Sequence, residues 1–386
     1  MNLVRRAFEK KKKHILFYAF LLTVFTAFVN GLTIFYLPIY LKDIGLSGFQ
    51  IGILFSISVV VGFIFVFQIG VLTDRFSIRR LIAIGLSLMA LYSIGFALTK
   101  SFWLLLVFFF ISGFGYYLHA LSLDSFTLKM VKESMGRMLG IYSAFKSIPF
   151  AVGALLGGYA LYLFGFKAML IISAILYLIC IYLVFYIPKT SKKVEEVKTY
   201  FKDFFKPKIL FFSFLIFIFT LHWGVEKVSY TLFLKENLGL SMIQMSWYIA
   251  VPIIFLGLAS MWFGKGFDTH FSTKRLLVIS FVVSGLGFAL LAMTTNPWIS
   301  VFFRIMHEIG DGAFMVFVFI GAKSFFSRYK LGGSYGLITI VTIAGAFFGS
   351  LIFSPIGATY GYHVPHIITG ILSFVAGFFI LLFKKE

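Results

Sequence analysis

The chain has 386 residues, 60% of them hydrophobic and 12% charged, with 34 Lys and Arg against 14 Asp and Glu and a mean hydropathy of +1.00. A soluble domain carries roughly 25% charged residues, so water is excluded as the solvent of most of this chain and lipid must take its place. The single cysteine, Cys180, excludes an internal disulfide framework, and no phosphate-binding glycine loop, nucleophile motif or metal-ligand histidine spacing points to an enzyme, a bound cofactor or direct ATP use.

A bilayer core of ~30 Å takes about 20 apolar residues per helix and tolerates no open strand edge. That ruler predicts an all-α membrane protein with twelve spans, at 15–41, 48–72, 81–99, 102–127, 137–163, 168–187, 209–234, 243–263, 276–294, 297–323, 333–356 and 366–383. The first span follows a basic stretch without a small-residue cleavage site and reads as a retained helix, not a removed signal peptide. His363 and His366, beside Pro365, read as residues of the last connection.

Basic residues set orientation. All but seven of the 34 Lys and Arg fall on the side of the N-terminus; Lys42, Lys100, Lys167 and Lys235 fall on the other, and Lys146, Lys227 and Arg304 inside spans. Both termini are therefore expected in the cytoplasm, in a cell membrane such as the prokaryotic cytoplasmic membrane. The same bias accounts for the net charge of +20 without a nucleic-acid partner.

The longest polar stretch, 188–208, separates two six-span bundles, 1–187 and 209–386. Within it Val194, Val197, Phe201, Phe204 and Phe205 keep helical spacing. They predict either a helix lying on the membrane surface or a solvated linker.

The bundles repeat one another. Tyr40-Leu-Lys-Asp-Ile-Gly-Leu-Ser47 matches Phe233-Leu-Lys-Glu-Asn-Leu-Gly-Leu-Ser241, Phe76-Ser-Ile-Arg-Arg-Leu81 matches Phe271-Ser-Thr-Lys-Arg-Leu276, and Gly95-Phe-Ala-Leu98 matches Gly287-Phe-Ala-Leu290. Parallel six-helix repeats point to transporters with a substrate site at the repeat interface near the bilayer midplane. Between the second and third spans stands Gly70-Val-Leu-Thr-Asp74-Arg75-Phe-Ser77-Ile-Arg79-Arg80; a degraded copy, Gly264-Lys-Gly-Phe-Asp268 with Lys274 and Arg275, lies between the eighth and ninth. This pattern resembles the signature of the major facilitator superfamily, from which only Ser77 departs, in place of a glycine. The resemblance covers the whole chain. It implies two pseudo-symmetric six-helix bundles, a monomer, and a gating role for Gly70, Asp74, Arg75, Arg79, Arg80 and Asp268, in which charge-assisted bonds lock one conformation and release another. The alternative is that the arginines only hold the loop on its side. In the fifth span Gly140, Pro149, Gly153, Ala154, Gly157 and Gly158 partly resemble the family's exporter pattern, echoed by Gly336, Gly345 and Gly349; close helix packing explains the same glycines.

Ionisable groups inside spans are costly and mostly functional. Arg304, His307, Glu308 and Asp311 sit at i, i+3, i+4 and i+7 of the tenth span, on one helix face. At ~1.5 Å per residue Arg304 lies about 10 Å from the outer end, Glu308 and Asp311 about 16–21 Å. Such a face must line a cavity or pair internally; Arg304 with Glu308 and His307 with Asp311 are within helical reach. The seventh span adds His222, Glu226 and Lys227. The resemblance implies that the first, fourth, seventh and tenth spans line one central cavity. Glu308 is then the leading protonation site, with Asp311, Glu226 and His307 as partners, and Arg304 a counter-ion or an anchor for an anionic group; the alternative is a static salt network. Asn30, His119 and Lys146 are the first bundle's candidate cavity residues, with Lys146 either pairing with Asp124 or attracting an anion. Trp223, Trp247 and Trp262 line the cavity or anchor at the interfaces.

The expectation is a secondary transporter that moves a small solute by alternating access, coupled to protons, with export of drugs or metabolites first. Uptake of a small organic anion or sugar, and an uncoupled facilitator, are the alternatives.

Overall fold

The computed structural model describes residues 2–188 and 196–382, and every regular element among them is helical. The chain runs through α1 (Asn2–Ile34), α2 (Leu37–Asp43), α3 (Gly48–Arg75), α4 (Ile78–Leu98), α5 (Phe102–Met130), α6 (Met135–Val184), α7 (Val197–Phe204), α8 (Pro207–Val225), α9 (Met242–Phe267), α10 (Thr273–Leu291), α11 (Pro297–Phe325), α12 (Leu331–Tyr360) and α13 (His363–Leu382). Among the described residues eleven stretches are long and apolar enough to cross a bilayer. One of them, α6, has 50 residues, a length of ~75 Å at the helical rise and more than twice a bilayer core. Gly165 breaks it with φ 76° and ψ 166°, a left-handed geometry that costs an L side chain ~1–2 kcal/mol. The two sections of α6 are the fifth and sixth expected spans, so eleven stretches make twelve crossings. The first span also differs in detail: Pro38 opens α2 after a break at Phe35 and Tyr36.

The sequence repeat has a structural cause. Ser47 and Ser241 each cap a helix, accepting from Gln50 and Gln244 backbone N–H groups while those glutamine side chains accept from the serine N–H. Such reciprocal caps satisfy two orphan donors at once. Gly45 and Gly239, two residues earlier, turn the chain with φ 94° and 65°. Gly-Leu-Ser is thus the turn and cap that start the same helix in each half.

Close approach of small residues joins the helices. A Cβ on Gly140 would meet the Ser260 carbonyl of α9, and one on Gly153 or Gly157 the Phe28 or Leu32 carbonyl of α1. The glycine row of the fifth span is therefore a packing surface against two neighbours.

The linker contains the helix α7, and Val194 lies outside the described residues. α7 leaves Val197 and Phe201 exposed and buries one residue against protein. Tyr200, which the apolar spacing passed over, is fully buried, with its ring close to Gly333 and 6.0 Å from that of Phe67. His363 and His366 are not loop residues: α13 begins at His363, and His366 is buried between Phe233 and Phe288, with ring centroids at 5.1 and 4.8 Å. Pro365 sits in the first turn, where a missing N–H costs nothing.

Candidate transport site

The charged face of α11 packs against α8 and α10. Arg304 donates to Glu226 through Nη1 and to Glu308 through Nη2, the latter at 2.5 Å, and its guanidinium lies 4.4 Å over the Tyr230 ring. His307 Nε2 is 3.2 Å from Glu226 Oε1, while its Nδ1 faces Ser284 O and Oγ at 3.0 and 2.9 Å. Asp311 accepts from Trp223 Nε1 and Ser284 Oγ, both at 2.7 Å, and has His222 Nε2 at 3.4 Å. The regular turn of α8 ends where this network begins: Glu226–Tyr230 and Phe233–Asn237 are wider π turns, which occur frequently at functional sites.

The expectation that the seventh and tenth spans show these charges to an open path needs correcting. Arg304, His307, Glu308, Asp311 and His222 are all buried. Inside a low-dielectric bundle each charge needs compensation, and the helices close around the pairs that supply it. The Glu226 side chain, 22% exposed, is the member that reaches accessible surface. Arg304 and Glu308 pair within α11 as expected, whereas His307 and Asp311 stand 3.8 Å apart and share Ser284 instead.

In the first half, Lys146 Nζ pairs with both oxygens of Asp124 at 2.9 and 3.0 Å, and Tyr142 donates to Asp124 Oδ1 at 2.7 Å. Lys146 also lies 5.7 and 5.6 Å from the Tyr142 and Phe319 rings. Its side chain nevertheless keeps 38% exposure. Lys146, Tyr116, Glu226 and Lys227 all retain accessible surface. His119 does not: it is buried, with Nδ1 2.9 Å from Gly115 O in its own helix. Asn30 accepts from Tyr177 at 3.0 Å. Trp247 donates to Tyr159 at 3.1 Å, and Trp262 is exposed against Phe263 and Phe271.

At the motif end two carboxylates cross between halves. Asp74 accepts from Gly332 N and Gly333 N, at the start of α12, at 3.0 and 2.8 Å, from Lys129 Nζ at 2.6 Å and from Tyr200 at 3.1 Å. Asp268 accepts from Gly136 N and Arg137 N, at the start of α6, at 2.8 Å each. Both arrangements place an anion on the positive end of a helix of the opposite half. Gly70 permits the first, since a Cβ there would press on the Gly332 backbone. Arg79 lies 4.7 Å over the Phe185 ring and Arg80 is exposed; Lys129, which sequence reasoning passed over, makes the ion pair with Asp74. Ser77 precedes α4 at φ −66° and ψ 114°, without a side-chain capping bond; that conformation is open to any residue, so the lost glycine leaves the turn intact.

Lys129, Tyr200 and Ser284 are the contributors that the sequence did not reveal, and Trp223, expected as a cavity or interface aromatic, is a hydrogen-bond donor to Asp311; each acts across helices distant in the chain. Spacing also concealed that the ligand atoms of His222, His307 and Asp311, and those of Glu226, His307 and Glu308, each lie within 4.8 Å of one another. A cation is admissible there by geometry. Arg304, Trp223 and Ser284 already supply donors to these carboxylates.

A family model described as Major Facilitator Superfamily matches residues 19–234 and 216–386. An MFS-type transporter of Methanocaldococcus jannaschii is 21% identical over 375 residues, which cover 92% of this chain and 95% of the relative. Among solved structures, the human organic anion transporter MFSD10 aligns with a TM-score of 0.81 at 12% identity, over 96% of this chain and 99% of that one. The E. coli fucose:proton symporter FucP aligns with a TM-score of 0.71 at 15% identity, over 97% and 99%. At these identities the two structures speak for the fold.

Proposed function

The chain belongs to the major facilitator superfamily, as a multi-pass membrane transporter and not an enzyme, and from that premise we propose that it moves a small organic solute by proton-coupled alternating access. The observation that carries the coupling is one guanidinium shared by two carboxylates in different environments. Arg304 bonds Glu226, which reaches accessible surface, and Glu308, which is buried. With both acids ionised the trio has a net charge of −1; one proton makes it neutral. Glu226 is the point of exchange with water and Glu308 the buried carrier. His307 and Asp311 hold the helix faces in register through Ser284. A change of one charge alters the attraction between the Glu226 turn and α11 within the second half, and α11 in turn packs against α6 of the first half. An uncoupled facilitator would have no use for so costly a buried network.

Export is the direction first proposed, on the partial exporter pattern of the fifth span. Lys146 and Lys227, cations inside spans that keep accessible surface, favour a second reading, the uptake of a small organic anion. In either case the distribution of basic residues supports a cytoplasmic position for both termini. The test is solute flux in proteoliposomes, using a solute selected by thermal-shift screening, with and without an imposed pH gradient. In Glu308→Gln, gradient-driven accumulation is lost while solute exchange without a gradient persists. Full gradient-driven accumulation in that variant removes Glu308 from the proton role.

A further inference from the structure

Beside the Asp74 contact a cleft of about 240 Å³ opens at the motif end. One wall is the end of α5 and the connection after it, with Lys129, Val131 and Lys132; the other runs from the end of α11 to the start of α12, with Lys323, Phe326 and Arg328. Four cationic side chains thus converge on one small space, two from each half. Arg328 lies close enough to Lys129 to repel it. Asp74 is engaged by Lys129 and by the α12 backbone, and Lys323 Nζ reaches across to the Leu128 carbonyl. Asp74 balances Lys129, so Lys132 and Arg328, exposed on opposite walls, are the like charges whose repulsion a further anion relieves.

We propose that this cleft binds a compact, multiply charged phosphate group that bridges the two halves and holds the motif end shut. Its position supports the regulatory part of the proposal. The cleft has walls from both halves, so it exists only while Asp74 meets Gly332 and Lys323 meets Leu128. A ligand that binds one conformation shifts the population towards it. The apolar surfaces of Val131 and Phe326 leave the phosphate oxygens to the four cations. The same chemistry comes from a soluble phosphate or from an anionic lipid headgroup. Binding does not depend on whether transport is proton-coupled.

The test uses the purified full chain. In neutral detergent, the thermal midpoint is followed against inorganic phosphate and pyrophosphate, with sodium chloride at matched ionic strength as reference. In nanodiscs, phosphatidylcholine alone is compared with a mixture containing phosphatidylglycerol. A saturable rise with the soluble anions identifies them as the source; a rise confined to phosphatidylglycerol identifies the headgroup. Lys132 and Arg328 are both exposed, and the Lys132→Gln/Arg328→Gln double variant is expected to need roughly tenfold more anion for the same shift, a change of about 1.4 kcal/mol. The charge-conserving Lys132→Arg/Arg328→Lys variant keeps the response, which separates loss of charge from loss of fold. Two results overturn the proposal: a wild-type response no larger than that to chloride or neutral lipid, or an undiminished response in the glutamine variant.

Discussion

Replacing Asp74 with Asn keeps the shape of the side chain and removes its charge. In the structure that carboxylate accepts four hydrogen bonds: two from the start of α12, one from Lys129 and one from Tyr200. Hydrogen bonds to a charged group contribute ~1.5–3 kcal/mol each; the Lys129 pair lies within the first half, so the two bonds from α12 are what distinguish the closed end from the open one. The amide oxygen of Asn still satisfies one backbone donor, but its NH2 faces the other donors. Taking the low end, the closed motif end loses about 3 kcal/mol relative to the open one. At ~1.4 kcal/mol per factor of ten, the ratio of closed to open molecules falls about a hundredfold. Asp268→Asn removes the charge from only two backbone contacts at a more exposed site, so its effect is smaller, about 1 kcal/mol. Spin labels at Glu133→Cys and Ser327→Cys, exposed positions of opposite halves, report the motif-end separation by pulsed electron resonance. A longer distance should emerge in Asp74→Asn and only weakly in Asp268→Asn. Identical distance distributions in wild type and Asp74→Asn refute the argument that this carboxylate holds the end shut.

Gly165→Ala forces a side chain into the positive-φ break of α6 and should lower stability by ~1–2 kcal/mol, read as a drop in thermal midpoint. Ser284→Ala removes a 2.7 Å donor from buried Asp311 and a partner from His307; a loss of ~1–3 kcal/mol is expected, with gradient-driven flux falling more than exchange. Asp203 in α7 responds to pH. Partial burial pushes its carboxyl up, but hydrogen bonds from Lys206 and Lys330 outweigh this and hold it below the ordinary value. A lowered carboxylate stabilises docking above its unperturbed range and loses that contribution as pH falls through the lowered value. Trypsin should therefore cut α7 at the same rate in wild type across neutral pH, and faster in Lys330→Gln at every such pH.

The number and type of helices were legible because lipid imposes one apolar length on every span. The break at Gly165 was not, since a single glycine inside an apolar run looks like any other membrane glycine. The charged face of α11 was legible from its period alone, for Arg304, His307, Glu308 and Asp311 stand on one side of any helix. Whether that face met water or protein was hidden, because the answer lies in Trp223, Ser284 and the π turns of α8. A serine or tryptophan in a span carries no signal of burial beside a charge. The motif located Asp74 but not its partners: Gly332 and Gly333 lie far along the chain. Tyr200 was concealed for a different reason, since a tyrosine among lysines reads as surface while here its hydroxyl completes the Asp74 contact.

That last contact gives the connecting segment a second occupation. α7 touches Asp74 and Phe67 on one side and Lys330 and Gly333 on the other, so it is a splint as well as a tether. A polypeptide severed ahead of Glu196 would carry the splint on its C-terminal piece, and the two separately made pieces would still have the Tyr200 contact to Asp74 with which to find one another. One severed after Lys206 would carry it on the N-terminal piece and dock it in the reverse sense, through Lys330. Where the cut falls decides which fragment supplies the arm and which the socket.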